Sequence, residues 1–328
     1  MPAGEISLGL IGVGRWGRNI VRTISTIPGI KLVAAASRNP ETALLVPPGC
    51  RLHANWREVV AANDLDGVII ATPAALHAEM VWEAIEANKA VMVEKPLVAS
   101  RDQASWLCAR IGERKSILLV DHVHLFHPAF QELRRQASAL GPIRSIASAA
   151  GKMDGTLDVS LLWDWAPHDL AMCMALAPGR GLVTEARYLE TRETGDRRGE
   201  TVFFSLTLAG DVEAKVELSN LKPRHRWFAV AFDDCMLVYR DAAEGSLTRL
   251  PLGEDIQAAG TQLSFRKEPP LRAAIARFAD AIRRADHDPK SFELGLSVVS
   301  IVADIEEHLA QFGQRASPVK AMDGKNKT

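Results

Sequence analysis

The chain's first chemical signature is three glycines in six positions, Gly12-Val13-Gly14-Arg15-Trp16-Gly17. They close an apolar run, 6–13, and open a stretch with helical spacing, 16–27, in which Ile20, Ile24 and Ile27 share one side. In that context a GxGxxG sequence cradles a dinucleotide. Gly12 permits the tight turn, Gly14 lets backbone approach a pyrophosphate, and Gly17 lets the helix pack closely on the strand. The anion would rest on the N–H groups that open the helix. Val13, Arg15 and Trp16 belong to the same expected cofactor site. Ser37 and Arg38 follow a second apolar run, 31–36, where an Asp or Glu would hold the ribose 2′-hydroxyl of NAD. No carboxylate there opposes a 2′-phosphate, and the Arg38 guanidinium could pair with one bidentately. NADP(H) is therefore the favoured cofactor and NAD(H) the alternative.

Other polar clusters are weaker. On a strand, His122 and His124 would share a face, with His127 close behind. Structural zinc would need more ligands at its spacing, with cysteine or acid partners, so no metal is expected. Arg224, His225 and Arg226 read as solvated loop charge. Binding of a substrate phosphate by that cluster or by Arg192 is the alternative. Cys50, Cys108, Cys173 and Cys235 form no CxxC pair and are expected to pack as unpaired small hydrophobes.

These residues need a scaffold, and the pattern around them supplies one. Further apolar runs at 66–71, 90–93 and 117–120 alternate with helix candidates at 74–87 and 101–114. Strands alternating with helices predict a parallel sheet, and runs without polar alternation suit strands buried on both faces. After residue 121 the pattern changes. Helices are expected at 129–139 and 161–176, then strands at 183–191, 200–208, 212–218, 227–232 and 236–239, with Gly195, Gly210-Asp211 and Gly245 as punctuation. Consecutive strands without helices between them predict a largely antiparallel sheet. Helices at 270–285 and 292–312 close the chain, free to pack back towards the first domain, and the polar tail after Val319 is expected to be loose. The expected organisation is an α/β Rossmann domain, 1–121, followed by an α+β domain, 122–328, with an open-faced, mostly antiparallel sheet.

Composition agrees with two globular domains. The 328 residues are 47% hydrophobic and 24% charged. A net charge of −1 gives no field to attract nucleic acid or an anionic membrane. The start lacks the pattern of a signal peptide, and no apolar run is long enough to span a bilayer. A cytoplasmic location is expected.

A second set of residues carries a resemblance. Ala71-Thr72-Pro73 follows the third strand of the series, with His77 four positions on, and Val93-Glu94-Lys95-Pro96-Leu97 follows the next. With the glycine fingerprint, these look like the glucose-fructose oxidoreductase / inositol dehydrogenase / MocA family. The resemblance implies that Thr72, Pro73 and His77 line the nicotinamide-ribose side, and that Glu94, Lys95 and Pro96 lie at the cofactor. It places His122 and His124 near the substrate. The family's D-x-G-x-H-type motif matches Asp164 and His168 within Trp163-Asp164-Trp165-Ala166-Pro167-His168-Asp169. Ala166 replaces the glycine, and the glycine pair often found upstream is missing. This form is similar to a branch that includes sugar-nucleotide dehydrogenases.

The chemistry so implied needs these residue types. Oxidising a secondary alcohol sends a hydride to nicotinamide and a proton to a general base. His168 titrates in the right range, and Asp164, four residues earlier on a helix, faces the same way. Asp164 could orient the imidazole or hold a substrate hydroxyl, beside Trp165. Lys95 could hold the reacting oxygen or itself move the proton. Lys95 and His168 both remain candidates for the acid/base role. The implied substrate is a sugar or sugar nucleotide, bound at Lys95, His122, His124, Asp164, Trp165 and His168. The implied assembly is a homodimer or homotetramer through the C-terminal sheet. Reduction of an imine or other non-sugar group, and a non-catalytic dinucleotide sensor, are the alternatives.

Overall fold

The computed structural model describes residues 4–312 except 113, 154–159, 180, 195–196 and 242–244. The turn at Gly195 and the tail after Val319 lie outside the described residues. The chain forms two compact units, residues 1–131 with 266–300, and residues 132–265 with 301–328. Residues 122–131 and 266–300 thus belong with the first unit.

The first unit is built on six strands: β1 (Ile6–Ile11), β2 (Ile30–Ala36), β3 (Arg51–His53), β4 (Gly67–Ile70), β5 (Ala90–Glu94) and β6 (Leu118–Asp121). Their order is β3-β2-β1-β4-β5-β6 and every pair is parallel. The order reverses between β1 and β4, the switch point outside which such sheets bind ligands. Helices α1 (Arg15–Ile24), α2 (Trp56–Val60), α3 (His77–Glu86) and α4 (Arg101–Ile111) connect the strands. One core cluster joins Leu8, Leu10 and Leu32 of the sheet to Ile20, Val21 and Ile24 of α1. Each such side chain contributes about 1.5–3 kcal/mol when removed from water. Leu271, Ile275 and Phe278 of α7 (Pro270–Arg284) complete that cluster, so a helix distant in sequence covers the Rossmann sheet. The short β3 and α2 interrupt what reads in sequence as polar loop.

Helix α5 (Pro128–Leu140) leads to a second sheet of β7 (Ser145–Gly151), β8 (Leu182–Thr194), β9 (Arg197–Leu208), β10 (Val212–Ser219), β11 (His225–Ala231), β12 (Cys235–Arg240), β13 (Ser246–Pro251) and β14 (Thr261–Gln262). The order is β14-β13-β12-β11-β7-β10-β9-β8, antiparallel except for the parallel pair β7 and β10. Helix α6 (Leu161–Leu176) packs on β10, β7 and β9. It is apolar almost all round, as a helix buried on most sides must be. The chain ends in α8 (Lys290–Phe312). No helix among the described residues is long and apolar enough to cross a membrane.

Candidate active site

Helix α1 starts with Gly14 as its N-cap, at φ −76° and ψ −159°, with no capping side chain and no acid in its first turn. The leading N–H groups are therefore left for an external anion. Gly14, Arg15 and Trp16 are exposed, while Gly17 and Val13 are buried. A methyl carbon placed on Gly14 would meet nothing within 4 Å, whereas one on Gly17 would lie 2.2 Å from the Gly12 carbonyl oxygen. Gly12 itself sits at φ +93°, and a side chain there would strike the Ala71 carbonyl at 2.6 Å. Open space in front of the helix and backbone contact behind it fit the pyrophosphate of a dinucleotide.

At the end of β2, the Ser37 N–H donates to the His53 carbonyl at 2.9 Å. The Ser37 hydroxyl oxygen accepts from Thr42 Oγ1 at 2.8 Å and from the Asn39 N–H at 3.2 Å. Arg38 is exposed beside this tied turn.

The C-terminal ends of β4, β5 and β6 gather the remaining residues of the first unit. Thr72 and Pro73 follow β4 at the surface, and Thr72 Oγ1 donates to Met80 Sδ at 3.4 Å. His77 opens α3 but is buried, 1% exposed. Its Nε2 lies 2.9 Å from the Thr72 carbonyl and its Nδ1 3.0 Å from the Pro96 carbonyl. Burial holds its pKa down, against those two carbonyls. His77 therefore ties the turn after β4 to the turn after β5, shaping both through backbone instead of offering its ring to a ligand.

Lys95 follows β5 half-buried, joined to Pro96 by a cis bond. Glu94, one residue earlier, receives a hydrogen bond from the Trp16 indole, so the glycine loop and β5 are linked. Directly across from Glu94 in the β5–β6 register is Asp121. Burial raises both carboxyls; the Asp121 charge raises Glu94 further, and Asp121, eased by its hydrogen bond with Glu94, is pushed up to about 7. Asp121 did not stand out in the sequence. Its only mark there is its place at the end of an apolar run.

β6 stops at Asp121, so His122 and His124 do not alternate along a strand. His122 is the N-cap of a 3-10 turn, Val123–Phe126, and His124 lies within it. His122 is buried, and burial together with the Lys95 charge pushes it down to about 3. His124 is half-buried. His127 is buried, and its Nδ1 accepts the Ala129 N–H at 3.1 Å at the start of α5.

In the second unit, α6 carries the matched motif. The Ser160 side chain caps it by accepting the Trp163 N–H at 3.3 Å. Over residues 161–174 only Asp164, Trp165 and His168 are partly accessible. They stand at i, i+1 and i+4, one face of a helix otherwise sunk in the core. The Trp165 Nε1–H donates to Asp164 Oδ2 at 3.1 Å, which fixes the carboxylate beside the indole. This face can hold a planar or hydroxylated ligand by stacking and hydrogen bonding, with an imidazole ready to take a proton.

The basic cluster is loop charge only at Arg224, which precedes β11 and is exposed. His225 and Arg226 lie in β11, and Arg226 Nη1 bonds to Asp169 Oδ2 at 2.8 Å, with side chains 10% and 0% exposed. The pair pins α6 to the sheet one residue after His168, and Arg226 is committed to that carboxylate. Arg224 is exposed, and Arg192 pairs with Glu190 at 2.6 Å.

Comparison with known proteins gives four findings. The model of an oxidoreductase family with an NAD-binding Rossmann fold, GFO_IDH_MocA, matches residues 6–122. A crystal structure of a protein provisionally assigned as an oxidoreductase, from Magnetospirillum magnetotacticum MS-1, is 37% identical with a TM-score of 0.85, over 92% of this chain and 99% of that one. UDP-N-acetylglucosamine 3-dehydrogenase from Acidithiobacillus ferrooxidans is 27% identical over 57% of each chain. Inositol 2-dehydrogenase 4 from Saccharopolyspora erythraea is 31% identical over 42% of this chain and 43% of that one. The chain thus spans about half the length of the curated relatives it matches.

Proposed function

The chain belongs to the glucose-fructose oxidoreductase / inositol dehydrogenase / MocA family of NAD-binding Rossmann-fold oxidoreductases, and from that premise we propose that it moves a hydride between a nicotinamide cofactor and the hydroxyl or keto group of a sugar or sugar nucleotide. The observation that carries this reading is the face of α6 on which, over residues 161–174, only Asp164, Trp165 and His168 are partly accessible. Likeness to a UDP-N-acetylglucosamine dehydrogenase supports the substrate class. When bound, the nicotinamide supplies or accepts the hydride.

The chain's own residues do the rest. Gly12, Gly14 and the N–H groups opening α1 hold the pyrophosphate, with Arg15 and Trp16 at its edge. Arg38 and Ser37 select a 2′-phosphate, so NADP(H) is preferred. Thr72, Pro73, Glu94 and Pro96 shape the nicotinamide side. The Lys95 ammonium holds the reacting oxygen and stabilises negative charge on it. His168 takes or returns the hydroxyl proton, and Asp164 holds a neighbouring hydroxyl.

The test is a substrate screen by nicotinamide absorbance with sugars, inositols and sugar nucleotides, followed by steady-state kinetics. Lys95→Ala and His168→Ala should each lower kcat by roughly 10²–10⁴, the usual worth of a proton-handling group. Cofactor affinity should change much less. Because such groups act as a unit, the double variant should lose less than the product of the single losses. Near-wild-type kcat in Lys95→Ala overturns the assignment. A loss confined to Lys95 moves the proton-transfer role to the lysine and leaves His168 with a structural one.

A further inference from the structure

The least expected group in the first unit is the carboxyl pair behind Lys95. β5 and β6 are parallel neighbours, and Glu94 and Asp121 are register partners. Adjacent strands lie about 4.8 Å apart with facing side chains on one side, so the two carboxyls are directed at each other. Asp121 is 1% exposed. Both of its oxygens and Glu94 Oε1 are buried, and among the described residues no donor reaches them. Two carboxylates are acceptors only and cannot satisfy each other. A carboxyl that keeps its proton can donate to the other, and this is the arrangement that leaves fewest buried oxygens without a partner.

We propose that Glu94 and Asp121 share one proton, and that Asp121 is thereby a positioning residue for Lys95, the shared proton locking the Glu94 carboxyl in the orientation that faces the lysine. The proposal rests on the reading that Lys95 works at the reacting oxygen. The charge balance supports it. One negative charge on the pair matches the single ammonium of Lys95, whose field acts on both carboxyls. Lys95 is the cation whose charge lowers both carboxyls. Trp16 donates its indole N–H to Glu94 and brings no charge. His122 after β6 and His77 on α3 feel the same ammonium, and burial lowers the pKa of both. From α8, Ser291 accepts the Val120 N–H at 2.9 Å and Gly295 packs against Val120 and Leu97, again without charge. Burial pushes Asp121 up to about 7, and burial with the neighbouring Asp121 charge raises Glu94, in the direction a shared proton requires.

The sign of the pH effect follows. A carboxyl raised in the folded state contributes most below its unfolded pKa, near 4, and that contribution is lost as pH rises through the folded value. On the alkaline side of pH 4 the wild type should therefore lose thermal stability until pH has passed about 7, the folded value of Asp121. Asp121→Asn supplies a permanent donor to Glu94, whereas Asp121→Ala supplies none. Thermal unfolding across pH, which needs no substrate, should show the alkaline loss shrinking in Asp121→Asn. Steady-state kinetics should show kcat at pH 7 reduced less than about 3-fold in Asp121→Asn and about 10-fold or more in Asp121→Ala, with KM nearly constant, because a missing donor disorders the group behind the lysine. The alkaline limb of kcat should move up in Asp121→Asn. An alkaline stability loss as large in Asp121→Asn as in the wild type overturns the shared proton, whatever the enzyme's substrate. Equal kcat losses in the two variants, or none in Asp121→Ala, overturn the positioning role. If no sugar substrate is found, the unfolding experiment still decides whether the proton is shared.

Discussion

The glycine loop separates folding from binding within six residues, and two substitutions test that separation. At Gly17 an added methyl would lie 2.2 Å from the Gly12 carbonyl oxygen. Neither atom belongs to a flexible side chain, so α1 must withdraw by about 1 Å to restore ordinary contact. Overpacking of this kind costs up to about 3 kcal/mol, and the better helix propensity of alanine returns about 1. The net loss of about 2 kcal/mol lowers Tm by roughly 4–8 °C in a unit of this size. At Gly14 the added group meets nothing within 4 Å, and the backbone is extended, which a branched residue tolerates. Gly14→Val should therefore stay within about 0.5–1 kcal/mol of the wild type in stability. Its side chain would stand where the pyrophosphate meets the N–H groups. Losing one or two charge-assisted bonds at about 1.5–3 kcal/mol each weakens affinity by about 10-fold or more. Thermal unfolding and titration of cofactor fluorescence read the two effects separately. A wild-type Tm in Gly17→Ala refutes the packing argument. A folded Gly14→Val with unchanged affinity shows that the dinucleotide binds elsewhere.

Two further outcomes follow. NADPH should bind more tightly than NADH, and Arg38→Ala should remove roughly 10- to 150-fold of that preference, measured by the same titration; equal wild-type affinities contradict the role of Arg38. Arg226→Met leaves the fully buried Asp169 carboxylate without its partner and should destabilise the second unit by about 3–5 kcal/mol in chemical denaturation, with part of the loss recovered in the Arg226→Met/Asp169→Asn double variant. A cost below 1 kcal/mol would mean that water reaches Asp169 and that the pair does not anchor α6.

Much of this protein is legible from local pattern. The glycine fingerprint, the alternating strands and helices of the first unit, and the accessible triplet on α6 depend on spacings within a few residues, and the structure puts elements there within three residues of expectation. Pieces whose identity comes from their neighbours are less visible. β7, Ser-Ile-Ala-Ser-Ala-Ala-Gly, has little intrinsic strand preference and is a strand because β10 and β11 pair with it on either side. α2 is too short to show a helical period. Arg226 reads as surface charge because its partner lies 57 positions away.

The candidate site divides the same way. Residue types and spacing alone single out Gly12, Gly14, Gly17, Ser37 and Arg38, because the chemistry of phosphate binding is written in consecutive positions. Lys95, Asp164 and His168 could be matched through short motifs. Which side chains stand behind them is another matter. The opposition of Glu94 and Asp121, the burial that holds His122 neutral, the clamp that His77 makes on two carbonyls and the pin of Arg226 on Asp169 all join residues far apart in the chain. A carboxyl keeps its proton, or an imidazole loses its own, because of strand register and exclusion of water. Those are properties of the folded chain, and no local spacing encodes them.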